Sequence, residues 1–253
     1  MPPHIGTEIL YYDEIGSTND EAKKIARNTG SEGIVVIADS QSNGKGRLGR
    51  IWSSEKGKGL YLSIILNPKS ETSTIMQITL ITAIIVKRAI QEYLSEPVFI
   101  KWPNDIIVSD RKICGILCES QISGESMNVI VGIGVNVNHE SFENELADKA
   151  TSMYLQCGER HTPKDLAHRI IHHYNNIYPE YIKRGFSIFL DEYKKSCITL
   201  GKEVDILKHK EKLRGMATNI TKSGELVIRN SASNGEEKIF SGEVSVRGIN
   251  GYQ

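Results

Sequence analysis

The seven residues Gly44-Lys45-Gly46-Arg47-Leu48-Gly49-Arg50 combine three glycines with three cations, and no acidic residue occurs from Gln41 to Ser54. Glycine lets the backbone adopt positive φ and approach a ligand closely. Backbone N–H groups beside Lys and Arg suit a phosphate or a carboxylate; a solvated basic turn is the competing explanation. The loop formally contains G-x-G-x-x-G, but the dinucleotide fingerprint must open a helix directly. Residues 51–59 instead carry two serines and two glycines, which weaken a helix, and run into an apolar strand pattern. A Walker A loop fails as well, because Gly46 follows Lys45 where Ser or Thr is required. An anion is therefore the expected ligand, held by neither common scheme.

A second cluster, Lys101-Trp102-Pro103-Asn104-Asp105, gathers a cation, an aromatic ring, an amide and a carboxylate. Pro103 removes a donor and Asn-Asp favours a turn, yet a turn alone requires neither Lys101 nor Trp102. Asn136 and Asn138 interrupt an apolar run, and with Gly132 and Gly134 they clear room for a ligand against a strand or mark a bulge. His168 and His172 have metal-ligand spacing, but no Glu occupies the H-E-x-x-H position, so a solvated helix face is expected. Gly-x-Ser-x-Gly is absent, and no cysteine has an evident base partner. Cys114 and Cys118 are four residues apart on a strand pattern, roughly 13 Å, too far to form a disulfide or to share a zinc ion. Free thiols are expected.

These groups must be positioned by regular elements. Thr18-Asn19-Asp20-Glu21 fits a capping box opening a helix through about residue 28. Strands are predicted over 33–38, 59–66 and 98–101, with a long helix over 74–94 between the last two. A hairpin with strands at 106–108 and 113–119 turns through Ser109-Asp110-Arg111-Lys112, and 128–138 reads as a further strand. Helices are predicted over 165–181 and 187–196. Beyond 200 the texture changes to five short strands (202–207, 212–220, 226–229, 236–240, 243–246) separated by turn signals such as Ser223-Gly224 and Asn234-Gly235, a pattern that suits a small barrel.

The chain has 253 residues, and 31 Lys and Arg balance 31 Asp and Glu. No global field favours nucleic acid or an anionic membrane. The N-terminal stretch lacks the basic-then-apolar pattern of a secretory signal, and the most apolar segment, 75–86, is too short and polar to span a bilayer. A cytoplasmic protein with no membrane partner is expected.

Taken together, the motifs closely resemble those of the biotin–protein ligases. The matching residues are Ser17-Thr18-Asn19, Gln41, the basic glycine loop, Trp52, Lys101-Trp102-Pro103-Asn104-Asp105, Arg111-Lys112, Gly115-Ile116-Leu117-Cys118-Glu119 and Gly132-Ile133-Gly134-Val135-Asn136, with residues 241–247 matching the family's terminal barrel. One letter departs: the family loop usually reads Gly-Arg-Gly-Arg, and Lys45 replaces the first Arg. The resemblance implies an α+β fold, a mixed β-sheet flanked by helices (residues 1–198) followed by a small Src-homology-3-like β-barrel (199–253). It implies the monofunctional type, with no repressor function and no DNA partner. ATP, biotin and Mg2+ are the implied substrates and ion, with Mg2+ carried on ATP phosphates rather than by a protein metal site. A biotin carboxyl carrier protein or domain is the implied partner, and an exposed strand edge offers a means of homodimerisation. By resemblance, biotin is bound by Ser17, Thr18, Asn19, Gln41, Gly44, Lys45, Gly46, Arg47, Lys112, Gly115, Leu117 and Gly132. The adenylate is bound by Arg47, Arg50, Trp52, Asn104, Lys112 and Asn136, and the catalytic groups are Lys112, Arg47 and Asp105.

Overall fold

An apolar run buried at every position must be covered on both faces, and Gly59–Leu66 meets that condition residue by residue. In the computed structural model, which describes residues 4–28, 30–68, 73–123, 126–208, 211–241 and 244–248, this run is the third strand of a seven-stranded mixed sheet. The elements in chain order are β1 (Ile9–Ile15), α1 (Thr18–Ile25), β2 (Val35–Gln41), β3 (Gly59–Leu66), α2 (Ser73–Gln91), β4 (Val98–Lys101), β5 (Asp105–Val108), β6 (Arg111–Ser123) and β7 (Ser126–Asn136). They are followed by α3 (Met153–Cys157), α4 (Pro163–Arg184) and α5 (Leu190–Ser196), then β8 (Glu203–Lys208), β9 (Glu211–Ile220), β10 (Leu226–Asn230), β11 (Glu236–Ile239) and β12 (Val244–Gly248).

The first sheet has the order β1-β2-β3-β7-β6-β5-β4, parallel at β1/β2 and antiparallel elsewhere. Alternate residues of β3 enter two separate cores, as the two-residue period of a strand requires. Leu60, Leu62, Ile64 and Leu66 join the main core with Ile81, Ile85 and Ala89 of α2 and Tyr174 and Tyr178 of α4. Ile65 joins Val36, Ile130, Ala22 and Ala26 beneath α1. The sheet is thus flanked by helices on both faces, as expected.

The structure corrects several local expectations. The predicted capping box does not form: Ser17 is the N-cap without a side-chain cap bond, and Thr18 is already helical. Thr18 instead turns toward Gln41, donating from both N and Oγ1 to Gln41 Oε1 at 2.8 and 3.1 Å. Strand β1 has no predicted counterpart; it is an edge strand with no fully buried residue, so the alternation that betrays a half-buried strand is missing. The turn after β5 is only Ser109-Asp110, both at positive φ (48° and 58°), the geometry of a tight two-residue hairpin. Lys112 therefore belongs to β6 rather than to the turn.

The C-terminal strands form a five-stranded antiparallel sheet in the order β11-β10-β9-β8-β12. Among the described residues β11 and β12 are the two edges of this sheet, and closure into the expected small barrel is not seen. Gly242 and Glu243, part of the C-terminal motif, lie outside the described residues. Trp102 ties this sheet to the first one. It is 2% exposed, and its indole Nε1 donates to Gly224 O at 3.0 Å while its backbone N donates to Thr199 Oγ1 at 3.0 Å. The aromatic that the 101–105 turn did not require is thus a structural anchor.

Candidate active site

A cleft of about 1050 Å³ opens where β6 and β7 meet the glycine loop. Its floor is made of glycine because nothing larger fits. Gly115 pairs with Gly134, and Leu117 with Gly132, across β6 and β7. The indole of Trp52 lies across the first pair: a Cβ on Gly134 would stand 2.6 Å from Trp52 Cε2, and one on Gly115 would stand 2.9 Å from Trp52 Cζ3. A Cβ on Gly132 would collide with Asn19 Oδ1. The interruptions of the apolar strand are close approaches, not bulges in β7. Gly134→Val is therefore expected to expel Trp52 and fill the cleft, weakening small-molecule binding at least about 10-fold while the fold survives. Isothermal titration paired with circular dichroism would check this; unchanged affinity would contradict the packing described.

A β-bulge aims the principal cation. The β5/β6 register shifts between Ile106 and Ile107, so that Ile106 faces Cys114 and Ile107 faces Lys112. The extra residue, Ile113, is buried next to Cys114. This doubling reverses the alternation and brings Lys112 out on the same face as Gly115, the re-aiming that bulges commonly perform. Lys112 Nζ lies 2.6 Å from Asp105 Oδ1 and 5.3 Å from the Trp52 ring centroid. Asn104, 7% exposed, donates from Nδ2 to Ile116 O at 2.8 Å and accepts from Arg47 Nη1 at 2.9 Å. Arg47 also donates from Nη2 to Ser241 O. Burial pulls the Arg47 guanidinium below its ordinary range, with the charge of Asp105 opposing that shift.

The glycine loop is a short hairpin: Trp52 N donates to Gly44 O at 2.9 Å and Gly46 N to Arg50 O at 2.8 Å. Leu48 (φ 56°) and Gly49 (φ 72°) turn its tip. Gly46, Arg47, Arg50 and Trp52 line the cleft. Gly44 does not: it is buried, and a Cβ there would strike Trp52 O, so its role is to close the hairpin base. Lys45 borders the cleft, but its Nζ is turned to Asp20 Oδ1 of α1 at 2.6 Å.

The opposite end is formed by the start of α1. Ser17, Thr18 and Asn19 are each 4% exposed and line the cleft with Gln41. Asn19 Nδ2 donates to Glu119 Oε2 at 2.7 Å, Ser63 Oγ lies 2.6 Å from Asn19 Oδ1, and Gln41 Nε2 donates to Ser54 Oγ at 2.8 Å. Buried polar groups so fully paired hold one arrangement. Asn136 also borders the cleft, with its Nδ2 donating to Thr151 O at 3.0 Å; Asn138 exchanges two hydrogen bonds with the backbone of His161. Asn138 is thus a clamp for the segment that follows β7.

Sequence reasoning missed His139 and Phe142, stacked at 5.1 Å and 22° on the cleft wall. Burial lowers the His139 imidazole below its usual value, with Lys58 adding to the shift and Glu55 opposing it. A hydrophilic run such as 139–145 gives no periodic signal by which it could have been found. His168 and His172 are exposed on α4, as expected. All four cysteines are free. Contrary to the expectation that none has a base beside it, Cys157 Sγ lies 3.3 Å from His161 Nε2. Burial raises the thiols of Cys114 and Cys197, and that of Cys118 to about 12. Titration of native protein with a thiol reagent at pH 8 is thus expected to find one fast thiol, lost in Cys157→Ser. Several fast thiols would contradict the burial.

With this geometry in hand, known proteins supply a comparison. The sequence matches the biotin/lipoate A/B protein ligase family over residues 12–136. It is 32% identical over 245 residues to the bifunctional ligase/repressor BirA of Bacillus subtilis, covering 96% of this chain and 75% of that protein. It is 27% identical over 234 residues to the biotin–[acetyl-CoA-carboxylase] ligase of Paracoccus denitrificans, covering 90% of this chain and 96% of that one. The fold superposes on the biotin protein ligase from Aquifex aeolicus in complex with biotin and ATP with a TM-score of 0.84 and 31% identity, covering 96% of this chain and 99% of that one.

Proposed function

Because this chain belongs to the biotin/lipoate A/B protein ligase family, we propose that it is an ATP-dependent biotin–protein ligase acting in two steps. A carboxylate oxygen of biotin attacks the α-phosphorus of ATP; the bond to the bridging oxygen breaks, giving biotinyl-5′-AMP and pyrophosphate. The amine of an acceptor lysine then attacks the acyl carbon, loses a proton and expels AMP. We assign a biotin carboxyl carrier domain as the acceptor.

The observation that carries this reading is the Lys112–Asp105–Asn104–Arg47 cluster beside a glycine floor. Two anions must meet for the first step, and fixed cations in a partly desolvated cleft offset their repulsion. Lys112, on the same face as Gly115, would bridge the carboxylate and the α-phosphate. Arg47, held by Asn104, would grip the phosphate side. Asp105, next to Lys112, would orient the incoming lysine amine. Ser17, Thr18 and Gln41 would hydrogen-bond the ureido ring, and Trp52 would pack beside the acyl tail or adenine. Mg2+ would arrive on the ATP phosphates. We also take residues 199–253 as a separate unit of Src-homology-3-like type, with Trp102 as its anchor, and place the protein in the cytoplasm.

Intact-mass analysis tests the second step. A biotin carboxyl carrier domain incubated with the protein, ATP and biotin should gain one biotinyl group, and a carrier with its acceptor lysine replaced by arginine should gain none. Labelling of both carriers alike would overturn the acceptor assignment.

A further inference from the structure

Lys45 is the letter that departs from the family loop, and its place in the structure gives it a partner. Its ammonium lies 2.6 Å from Asp20 Oδ1, and the two side chains are each 38% exposed. The two ends of this contact differ in rigidity. Asp20 sits in the first turn of α1, which is bolted to the sheet: Thr18 to Gln41, Asn19 to Glu119 and Lys23 to Glu119. Lys45 sits on a hairpin with three glycines and two exposed apolar side chains, Leu48 and Ile51. A rigid carboxylate therefore holds a compliant loop. Asp20 is also welcome in the first turn of a helix because of the helix dipole, but that preference does not require a cation from a loop 25 residues away.

The consequence concerns charge as well as position. With Lys45 satisfied by Asp20, the cations left facing the cleft from the loop are Arg47 and Arg50. We propose that Asp20 is a positioning residue: through Lys45 it latches the first half of the glycine loop to α1 and so sets how often the loop opens and how long an enclosed acyl-adenylate is retained. The retention half of this statement rests on the ligase reading above; the loop-opening half does not. Because the pair is partly exposed, the latch is modest and salt-sensitive, shifting the open population by about two- to five-fold.

The test is proteolysis of the loop in the full chain without any ligand, scored by mass spectrometry at Arg50. When opening is fast relative to cleavage, the rate tracks the open population. At about 0.05 M salt, Asp20→Asn should be cut about two- to five-fold faster, Asp20→Glu should restore the slow rate, and Lys45→Met should add nothing to Asp20→Asn. At about 0.5 M salt the unaltered protein should approach the Asp20→Asn rate. Thermal midpoints that stay together separate a latch from a folding defect. Biotinyl-AMP should leave Asp20→Asn faster by the same factor. Equal cleavage rates, or independent effects of Asp20→Asn and Lys45→Met, would overturn the latch. If the unaltered protein fails to retain biotinyl-AMP, the ligase reading falls, while the cleavage rates still decide the latch.

Discussion

Lys112→Ala is expected to slow biotin-dependent adenylate formation by about 10²- to 10³-fold, the usual cost of removing one preorganised charge-stabilising group from a transition state. Two further effects add to the loss. The Asp105 carboxylate, whose side chain is 19% exposed and lies 2.6 Å from Lys112 Nζ, loses the cation it is paired with where a carboxylate and a triphosphate must meet. The Trp52 ring also loses the cation beside it, a contact of about 0.5–1 kcal/mol at a site of this exposure. Single-turnover formation of biotinyl-AMP, with ATP and biotin saturating, isolates the chemical step. A rate within about 10-fold of the unaltered protein would remove Lys112 from the bridging role. Asp105→Asn is the informative companion: it should leave adenylate formation largely intact and slow transfer to the acceptor lysine.

Arg47→Gly is expected to slow the first step less than Lys112→Ala does and to lose hold of its product. Arg47 spans three parts of the molecule, reaching from the glycine loop to Asn104 and to the backbone of Ser241 before the last strand. A guanidinium offers several donors in a fixed fork suited to phosphate, and glycine removes all of them while loosening the hairpin further. Released biotinyl-AMP is a mixed anhydride that acylates any accessible amine. Labelling of an unrelated lysine-rich protein present in the same tube should rise by about 10-fold or more relative to the unaltered protein, the change that about 1.4 kcal/mol of lost retention produces. Labelling confined to the carrier domain would show that another group holds the intermediate.

Much of this arrangement was readable in the residues. The cleft brings together segments from residues 17 to 136 that the motif order had linked, because the glycines, the 101–105 turn and Lys112 are chemical features visible without a structure. The run at 59–66 matched its strand because it is buried at every residue, and the run at 98–101 matched through Val98 and Ile100, which are buried while Phe99 is exposed. What escaped depended on geometry that no local pattern encodes. The doubled Ile113–Cys114 step that brings out Lys112 is a register shift between two strands. Thr18 left its cap role for Gln41, 23 residues away, because the helix begins one residue earlier, with Ser17 as its N-cap. Lys45, odd as a letter, became explicable only once Asp20 was placed beside it. Trp102, which the turn alone did not require, borders the cleft and, through its bond to Gly224 O, is also a joint between two sheets.

The most direct test of the central claim is exchange of labelled pyrophosphate into ATP, run with biotin, with lipoate and with no acid added. Exchange requires reversible formation of an acyl-adenylate and nothing from the acceptor protein. The account predicts exchange that depends on biotin and is at background with lipoate or with no acid. Exchange supported by lipoate instead of biotin, or exchange indifferent to any acid, would contradict it.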